Sequence, residues 1–101
     1  MSIVGTIYKL RTDIPALGLK TDDIGVAIEQ YPDYDMPGES GATVIFGNGN
    51  FDGFSAYERG TFLTPQGKDE DIANYQFVNA VQLTNDYFDG LFDHVLKNNK
   101  K

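Results

Sequence analysis

Cysteine and tryptophan are both absent from this chain of 101 residues. Without cysteine, the chain can form neither a disulfide nor a thiolate metal site. No apolar run approaches the roughly 18 residues of a membrane-spanning helix, and the amino-terminal residues lack the pattern of a signal peptide. From these absences we expect a cytoplasmic protein that does not associate with membranes.

Basic side chains are scarce and unevenly distributed. Residues 1–96 contain five Lys or Arg against fifteen Asp or Glu, a net charge of −10, and the other three lysines are Lys97, Lys100 and Lys101. Proteins that bind DNA, RNA or anionic lipid need clustered cations to neutralise phosphates. The composition therefore argues against nucleic acid and membranes as direct partners. It favours either a basic protein surface as the partner or an acidity that serves only solubility.

Only one histidine, His94, is present, and this limits the catalytic chemistry that the chain can offer. A catalytic triad or a zinc site needs histidine together with cysteine, further histidines or an activated nucleophile. Residues 48–53 have the spacing of the first half of a calcium loop, but Arg59 stands where the closing glutamate should be. We therefore predict no catalytic residue, no metal and no cofactor, and we expect His94 near solvent at a helix C-terminus.

Alternating apolar and polar residues predict a mainly β protein. The chain, of which 41% is hydrophobic, is long enough for one domain with one small core. Most of the predicted strands are rich in β-branched or aromatic residues. They are residues 3–10, 24–31, 42–46, 51–57 and 76–83. The Gly-Asn-Gly-Asn sequence at 47–50 predicts a hairpin turn between the third and fourth strands.

The last segment, residues 84–97, is predicted to be an amphipathic α-helix. Thr84 is a suitable N-cap residue. An apolar face with the spacing of an α-helix is formed by Phe88, Leu91, Phe92 and Val95. The strand pattern followed by this helix predicts an α+β or mainly β architecture.

Three segments of the chain match a sequence pattern in which a Pro- and Gly-containing segment, an acidic turn and two strands follow one another. They read Ile-Pro-Ala-Leu-Gly-Leu-Lys at 14–20, Asp-Ile-Gly-Val-Ala-Ile-Glu at 23–29 and Ala-Thr-Val-Ile-Phe at 42–46. In this order, residues 5–64 resemble SH3-like barrels of the KOW-like type, and more closely a small bacterial family of uncharacterised domains often encoded beside toxin-like genes. The resemblance implies a five-stranded SH3-like barrel and an immunity or antitoxin role, and it supplies no catalytic residues.

This resemblance divides the single predicted domain, residues 1–101, into two parts. Residues 1–65 form the barrel core, and residues 66–101 add a strand and the C-terminal amphipathic helix. Residues 44–54 also resemble part of the photosystem I stromal subunit that helps dock ferredoxin, which is SH3-like as well. That family docks an acidic partner with basic residues, so the acidity of this chain argues against the same role.

Two sets of residues are candidates for binding a partner. The first set lies at the end of the second predicted strand and in the loop after it, and consists of Tyr31, Asp33, Tyr34, Asp35 and Glu39. The second set lies on the polar face of the predicted helix and consists of Asp86, Asp89 and Asp93. Aromatic anchors among charged groups are typical of interface hot spots. We therefore expect a non-enzymatic module that binds a basic protein surface, such as an immunity protein, an antitoxin or a phage-encoded inhibitor.

The predicted helix also supports an alternative function, in which the chain is a structural protein rather than a module that binds a basic partner. A structural or assembly subunit, or a homo-oligomer, would pack an aromatic helix face against a neighbour. That face is formed by Tyr87, Phe88, Leu91 and Phe92.

Overall fold

The fold is built on one five-stranded antiparallel sheet. The computed structural model describes residues 2–97, so residue 1 and residues 98–101, which include Lys100 and Lys101, lie outside the described residues. The strand order is β4-β3-β2-β1-β5. The strands are β1 (Thr6–Leu10), β2 (Ile24–Pro32), β3 (Ser40–Phe46), β4 (Phe51–Phe54) and β5 (Leu63–Lys68).

Within the described residues, three α-helices accompany the sheet. They are α1 (Ala56–Phe62), α2 (Ala80–Phe88) and α3 (Asp93–Leu96), and Pro15–Leu17 and Ile72–Asn74 form single 3₁₀ turns. Between residues 2 and 97, no helix combines the length and the apolar character needed to cross a membrane.

Apolar side chains cover both faces of the sheet. On one face, α2 and α3 pack onto the strands through a cluster of Val26, Ile28, Ile45, Ile72, Leu83, Phe92, Val95 and Leu96. On the other face, α1 and the β1–β2 loop pack against a cluster of Tyr8, Leu10, Leu19, Ala27, Ala42, Val44, Phe46, Phe54 and Leu63. Because β3 lies between these two layers, residues 42–46 are all buried, which explains their continuous run without alternation.

The sheet is open. β5 pairs with β1 rather than with β4. Among the described strands, β4 and β5 are therefore the two edges, and no ladder joins them. The prediction of a mainly β protein with five strands is confirmed, whereas the predicted closed barrel is not formed.

The fifth strand lies elsewhere than predicted. Residues 76–83 lead into a helix, because Asn79 Oδ1 accepts a hydrogen bond from the Gln82 N–H at 2.8 Å and caps α2. The strand is instead Leu63–Lys68, in which every residue after Leu63 is exposed. Such an edge strand needs no apolar alternation, and Pro65 and Gly67 give it the sequence of a turn.

The predicted strand at 51–57 is also divided in two. β4 ends at Phe54, and Ser55 is the N-cap of α1. Ser55 Oγ accepts from the Glu58 N–H at 3.1 Å, and Glu58 Oε1 accepts from the Ser55 N–H at 2.9 Å. This capping box is readable as Ser-x-x-Glu. Residues 51–57 also alternate between apolar and polar, and this pattern predicted a strand where the capping box begins a helix.

The predicted helix at 84–97 is two short helices. Gly90 has φ +89°, a left-handed conformation that ends α2. Thr84 lies inside α2 rather than at its N-cap. The left-handed residue interrupts the helical periodicity, so the predicted apolar face does not stay together. Phe92 and Val95 are buried, whereas Phe88 and Leu91 are 78% and 46% exposed.

Candidate functional site

Tyr31 is the centre of the candidate site, and two glycines make room for its ring. A Cβ at Gly41 of β3 would lie 2.5 Å from Tyr31 Cε1, and a Cβ at Gly53 of β4 would lie 2.7 Å from Tyr31 Oη. The ring therefore lies across two neighbouring strands where no side chain occupies the sheet. This packing leaves Tyr31 half-buried and holds its hydroxyl near β4.

Four carboxylates lie near enough to this ring for their charges to act on its phenol. Burial raises the pKa of the Tyr31 phenol, and the negative charges of Glu29, Glu58, Asp52 and Asp33 raise the pKa further. We call these five residues the Tyr31 acidic surface. The period of β2 predicts that Glu29 and Tyr31 share a face. Asp52 and Glu58 join them only through the pairing of β4 and the position of α1, and the sequence prediction missed both.

The turn between β2 and β3 adjoins this surface. The Asp33 N–H donates to the Glu39 carbonyl at 3.1 Å and closes the turn. Tyr34 is 90% exposed, and Asp35 and Glu39 are exposed as well. Beside the turn lies a groove of about 450 Å³, lined by Gln30, Tyr31, Pro32, Gly38, Glu39 and Ser40. The five loop residues predicted from the sequence therefore lie in or next to one acidic surface.

The charges of this surface are not paired within the described chain. Between residues 2 and 97, the basic side chains within 4 Å of a carboxylate are His94, beside Asp69, and Lys97, beside Asp93, and neither acid belongs to the Tyr31 acidic surface. Arg59 does not neutralise the Tyr31 acidic surface, because its Nε and Nη2 donate to the Ser40 carbonyl, at 3.1 and 2.5 Å, and not to a carboxylate.

Asp33 also has a structural task. Its Oδ2 accepts from the Ala56 N–H at 2.8 Å, and its Oδ1 accepts from the Asp35 N–H at 3.0 Å. Ala56 is the first residue of α1, where backbone N–H groups have no partner inside the helix. Asp33 thus connects the turn to α1.

Replacing Asp33 by alanine is expected to lower the free energy of unfolding by about 1–2 kcal/mol, because the Ala56 N–H loses its acceptor. Asp35→Ala removes the same charge at an exposed position, and we expect a change below about 0.5 kcal/mol. Urea titrations of both variants measure the difference. Equal losses would mean that charge, rather than the bond to Ala56, sets the stability.

Two of the three acids predicted on the helix contact side chains of the helical layer. Asp86 Oδ2 accepts from the Tyr75 hydroxyl at 2.7 Å. Burial, together with this hydrogen bond, strongly raises the pKa of Tyr75. Asp93 pairs with Lys97 at 3.6 Å, and Asp89 is exposed at the end of α2.

The helix acids and the Tyr31 acidic surface lie near opposite ends of β3. The Tyr87 hydroxyl of α2 donates to the Gly47 carbonyl, directly after β3. The turn at 33–39 precedes β3, which has seven residues and is therefore roughly 23 Å long. The two predicted sets of binding residues are thus two separate surfaces.

The turn at 47–50 has a structural function, as a hairpin turn does. The side-chain amides of Asn48 and Asn50 donate to the Leu17 carbonyl at 2.9 and 2.7 Å. Asn48 Oδ1 accepts from the Asn50 N–H at 3.0 Å. The asparagines therefore tie the hairpin to the β1–β2 loop.

His94 meets two acids that the sequence prediction did not associate with it. Its side chain is 41% exposed, and its Nε2 lies 3.0 Å from Asp69 Oδ2. Burial opposes the ionisation of Asp69, but hydrogen bonds from His94 and the Ile72 N–H outweigh it, so the pKa of Asp69 is lowered. One ligand atom each from His94, Asp69 and Asp71 lies within 4.8 Å of the others. No sequence signal finds this cluster, because 25 residues separate Asp69 from His94.

Comparison of the chain with protein-family models, with curated proteins and with solved structures finds no match. The function is therefore inferred from the chemistry of the surfaces described above.

Proposed function

We propose that this chain is a non-enzymatic, cytoplasmic module that binds a basic protein surface through the Tyr31 acidic surface. The proposal rests on four carboxylates whose charges act on the half-buried Tyr31, none of them in an ion pair within residues 2–97. A basic partner complements such a field. The exposed ring of Tyr34, on the adjoining turn, offers the partner an aromatic anchor.

The most concrete form of this proposal is an inhibitor. Enzymes that bind nucleic acid carry basic surfaces, and an acidic protein competes for such surfaces with phosphates. An immunity protein, an antitoxin or a phage-encoded antagonist would act in this way. The resemblance of residues 5–64 to SH3-like domains encoded beside toxin-like genes supports this form. The five antiparallel strands, of which the last pairs with the first, are compatible with that resemblance.

A pull-down from the native host tests the proposal, with the full chain immobilised at about 50 and 200 mM salt. We expect a partner with a basic surface that is retained at low salt and released as screening increases. Asp52→Lys reverses one charge of the Tyr31 acidic surface and is expected to reduce recovery about tenfold.

Asp89→Lys is the matched control, because it makes the same charge change on the helix surface. We expect it to leave recovery unchanged, and circular dichroism checks that both variants are folded. Recovery of no partner, or of partners without basic surfaces, would contradict the proposal. Equal losses in the two variants would show that net charge, and not the Tyr31 acidic surface, attracts the partner.

A second function, assembly into a larger complex or homo-oligomer, is favoured by a different observation. The outer face of α2 and the residues beside it expose an apolar stripe of Val78, Val81, Phe88 and Leu91. Their exposed fractions, between 46% and 78%, are large for apolar side chains, and Val81 and Phe88 lie seven residues apart on one face of α2. Of the aromatic face predicted for assembly, Tyr87 and Phe92 pack against their own chain, and Phe88 and Leu91 remain available.

Sedimentation velocity distinguishes this function from the first. If the stripe is an interface between copies, the sedimentation coefficient is expected to rise with protein concentration. Phe88→Ala should then restore the monomer, while Asp52→Lys should not. A monomer at every concentration would remove the homo-oligomer.

A further inference from the structure

Asp69, Asp71 and His94 form a compact group of metal-ligand side chains away from the Tyr31 acidic surface. Asp69 and Asp71 lie in the segment between β5 and the 3₁₀ turn Ile72–Asn74, and His94 lies in α3. The group therefore joins the end of the sheet to the last helix. Neither the binding proposal nor the assembly alternative uses these three residues.

The spacing of the ligand atoms suits a small divalent ion. Zinc binds histidine nitrogen and carboxylate oxygen at about 2.0–2.2 Å, so neighbouring ligand atoms lie about 3.0–3.5 Å apart. His94 Nε2 and Asp69 Oδ2 are already 3.0 Å apart. One ligand atom from each of the three residues lies within 4.8 Å of the others, and the Asp71 side chain is exposed, so it is not held in place by packing.

The backbone that carries these ligands is well anchored. The Asp69 N–H donates to the Gly5 carbonyl at 2.9 Å, and the Asp69 carbonyl accepts from the Ala73 N–H at 2.9 Å. On the other side, His94 lies between Phe92 and Val95, which are buried in the core. The ligands are thus held near each other before an ion binds, which lowers the entropic cost of binding.

One side of the group is open. A cavity of about 360 Å³ adjoins it, lined by Asp71, Ile72, Tyr75, Gly90, Leu91 and His94. An ion with three protein ligands keeps a coordination position for water, and this cavity would give water access to it.

We propose that Asp69, Asp71 and His94 bind one divalent transition-metal ion of the zinc class. Imidazole selects for such ions, whereas calcium and magnesium prefer sites made of oxygen alone. The bound ion links the segment after β5 to α3, and so it stabilises the contact between the sheet and the helical layer. Because such an ion binds the folded chain and not the unfolded chain, its binding raises the melting temperature.

Isothermal titration of ZnCl₂ into the untagged full chain tests this site, because His94 is then the only histidine present. We expect one zinc ion per chain, shifted His94 ring resonances in NMR spectra, and a melting temperature that rises until the site is saturated. MgCl₂ should produce none of these effects.

Two variants locate the site. Asp71→Asn leaves the His94–Asp69 pair intact and is expected to weaken zinc binding about tenfold or more, as is His94→Gln. Asp89→Asn, another exposed acid of the helical region, should bind zinc like the unmodified chain. No binding by the unmodified chain at millimolar zinc would overturn the proposal. Binding that survives both Asp71→Asn and His94→Gln would also overturn it, by showing that zinc binds acids elsewhere.

Discussion

Phe92→Ala is expected to lower the free energy of unfolding by about 3–5 kcal/mol, the cost of removing a large aromatic side chain from a packed core. Phe92 has no exposed surface, and its ring meets Tyr75 edge-on with a centroid separation of 5.4 Å. It lies in the cluster that joins the helical layer to β2 and β3. A loss of this size is a large part of the stability of a small domain, so urea denaturation should show a much lower midpoint.

Phe88→Ala is the matched control, since it makes the same substitution four residues earlier. Phe88 is 78% exposed, and we expect its removal to change the free energy of unfolding by less than about 0.5 kcal/mol. Similar losses in the two variants would show that α2 and α3 form one continuous helix with one buried face. That result would contradict the break at Gly90.

Gly5→Ala is expected to cost about 2–4 kcal/mol, because two penalties act at one position. Gly5 has φ +93°, a conformation that residues with a Cβ rarely adopt. A Cβ there would also lie 2.8 Å from the Ala73 N and Cα atoms and from the Asp69 carbonyl oxygen. These atoms belong to the backbone, so no side-chain rotation relieves the overlap, and the 69–73 segment must move away from β1.

Gly38→Ala separates the two penalties. Gly38 has a similar φ of +87°, but a Cβ there would meet nothing within 4 Å. We therefore expect a loss of about 1–2 kcal/mol from conformation alone. Thermal or urea unfolding of both variants gives the difference, which measures the overlap at Gly5. If both variants lose the same stability, the close packing of the 69–73 segment on Gly5 is wrong.

Prediction from sequence succeeded where the relevant interactions are local. The strand predicted at 24–31 is found at Ile24–Pro32, and the turn at 47–50 joins two paired strands. In both segments, the side-chain alternation or the turn residues express the structure directly. Prediction failed at Leu63–Lys68, whose strand character comes from pairing with β1 and not from its own exposed side chains.

The candidate site shows the same division. Tyr31, Asp33, Tyr34, Asp35 and Glu39 are close in sequence, and they lie in or beside one surface. Glu58 and Asp52 belong to other elements and reach Tyr31 only after the sheet and α1 have formed. Sequence patterns do not contain such contacts, because nothing in the local periodicity of one element specifies its neighbour in space.

The sequence by itself determined the acidity of this protein, its mainly β character and the short elements that depend on neighbouring residues. Only the tertiary structure decided which strand pairs with β1 at the edge of the sheet and which aromatic residues are buried. It also decided which acids lie near Tyr31 and His94. The physical reason is that charge and periodicity are properties of the chain, whereas these groupings depend on long-range pairing and packing. The 25 residues between Asp69 and His94 illustrate this, since only folding brings the two side chains to 3.0 Å.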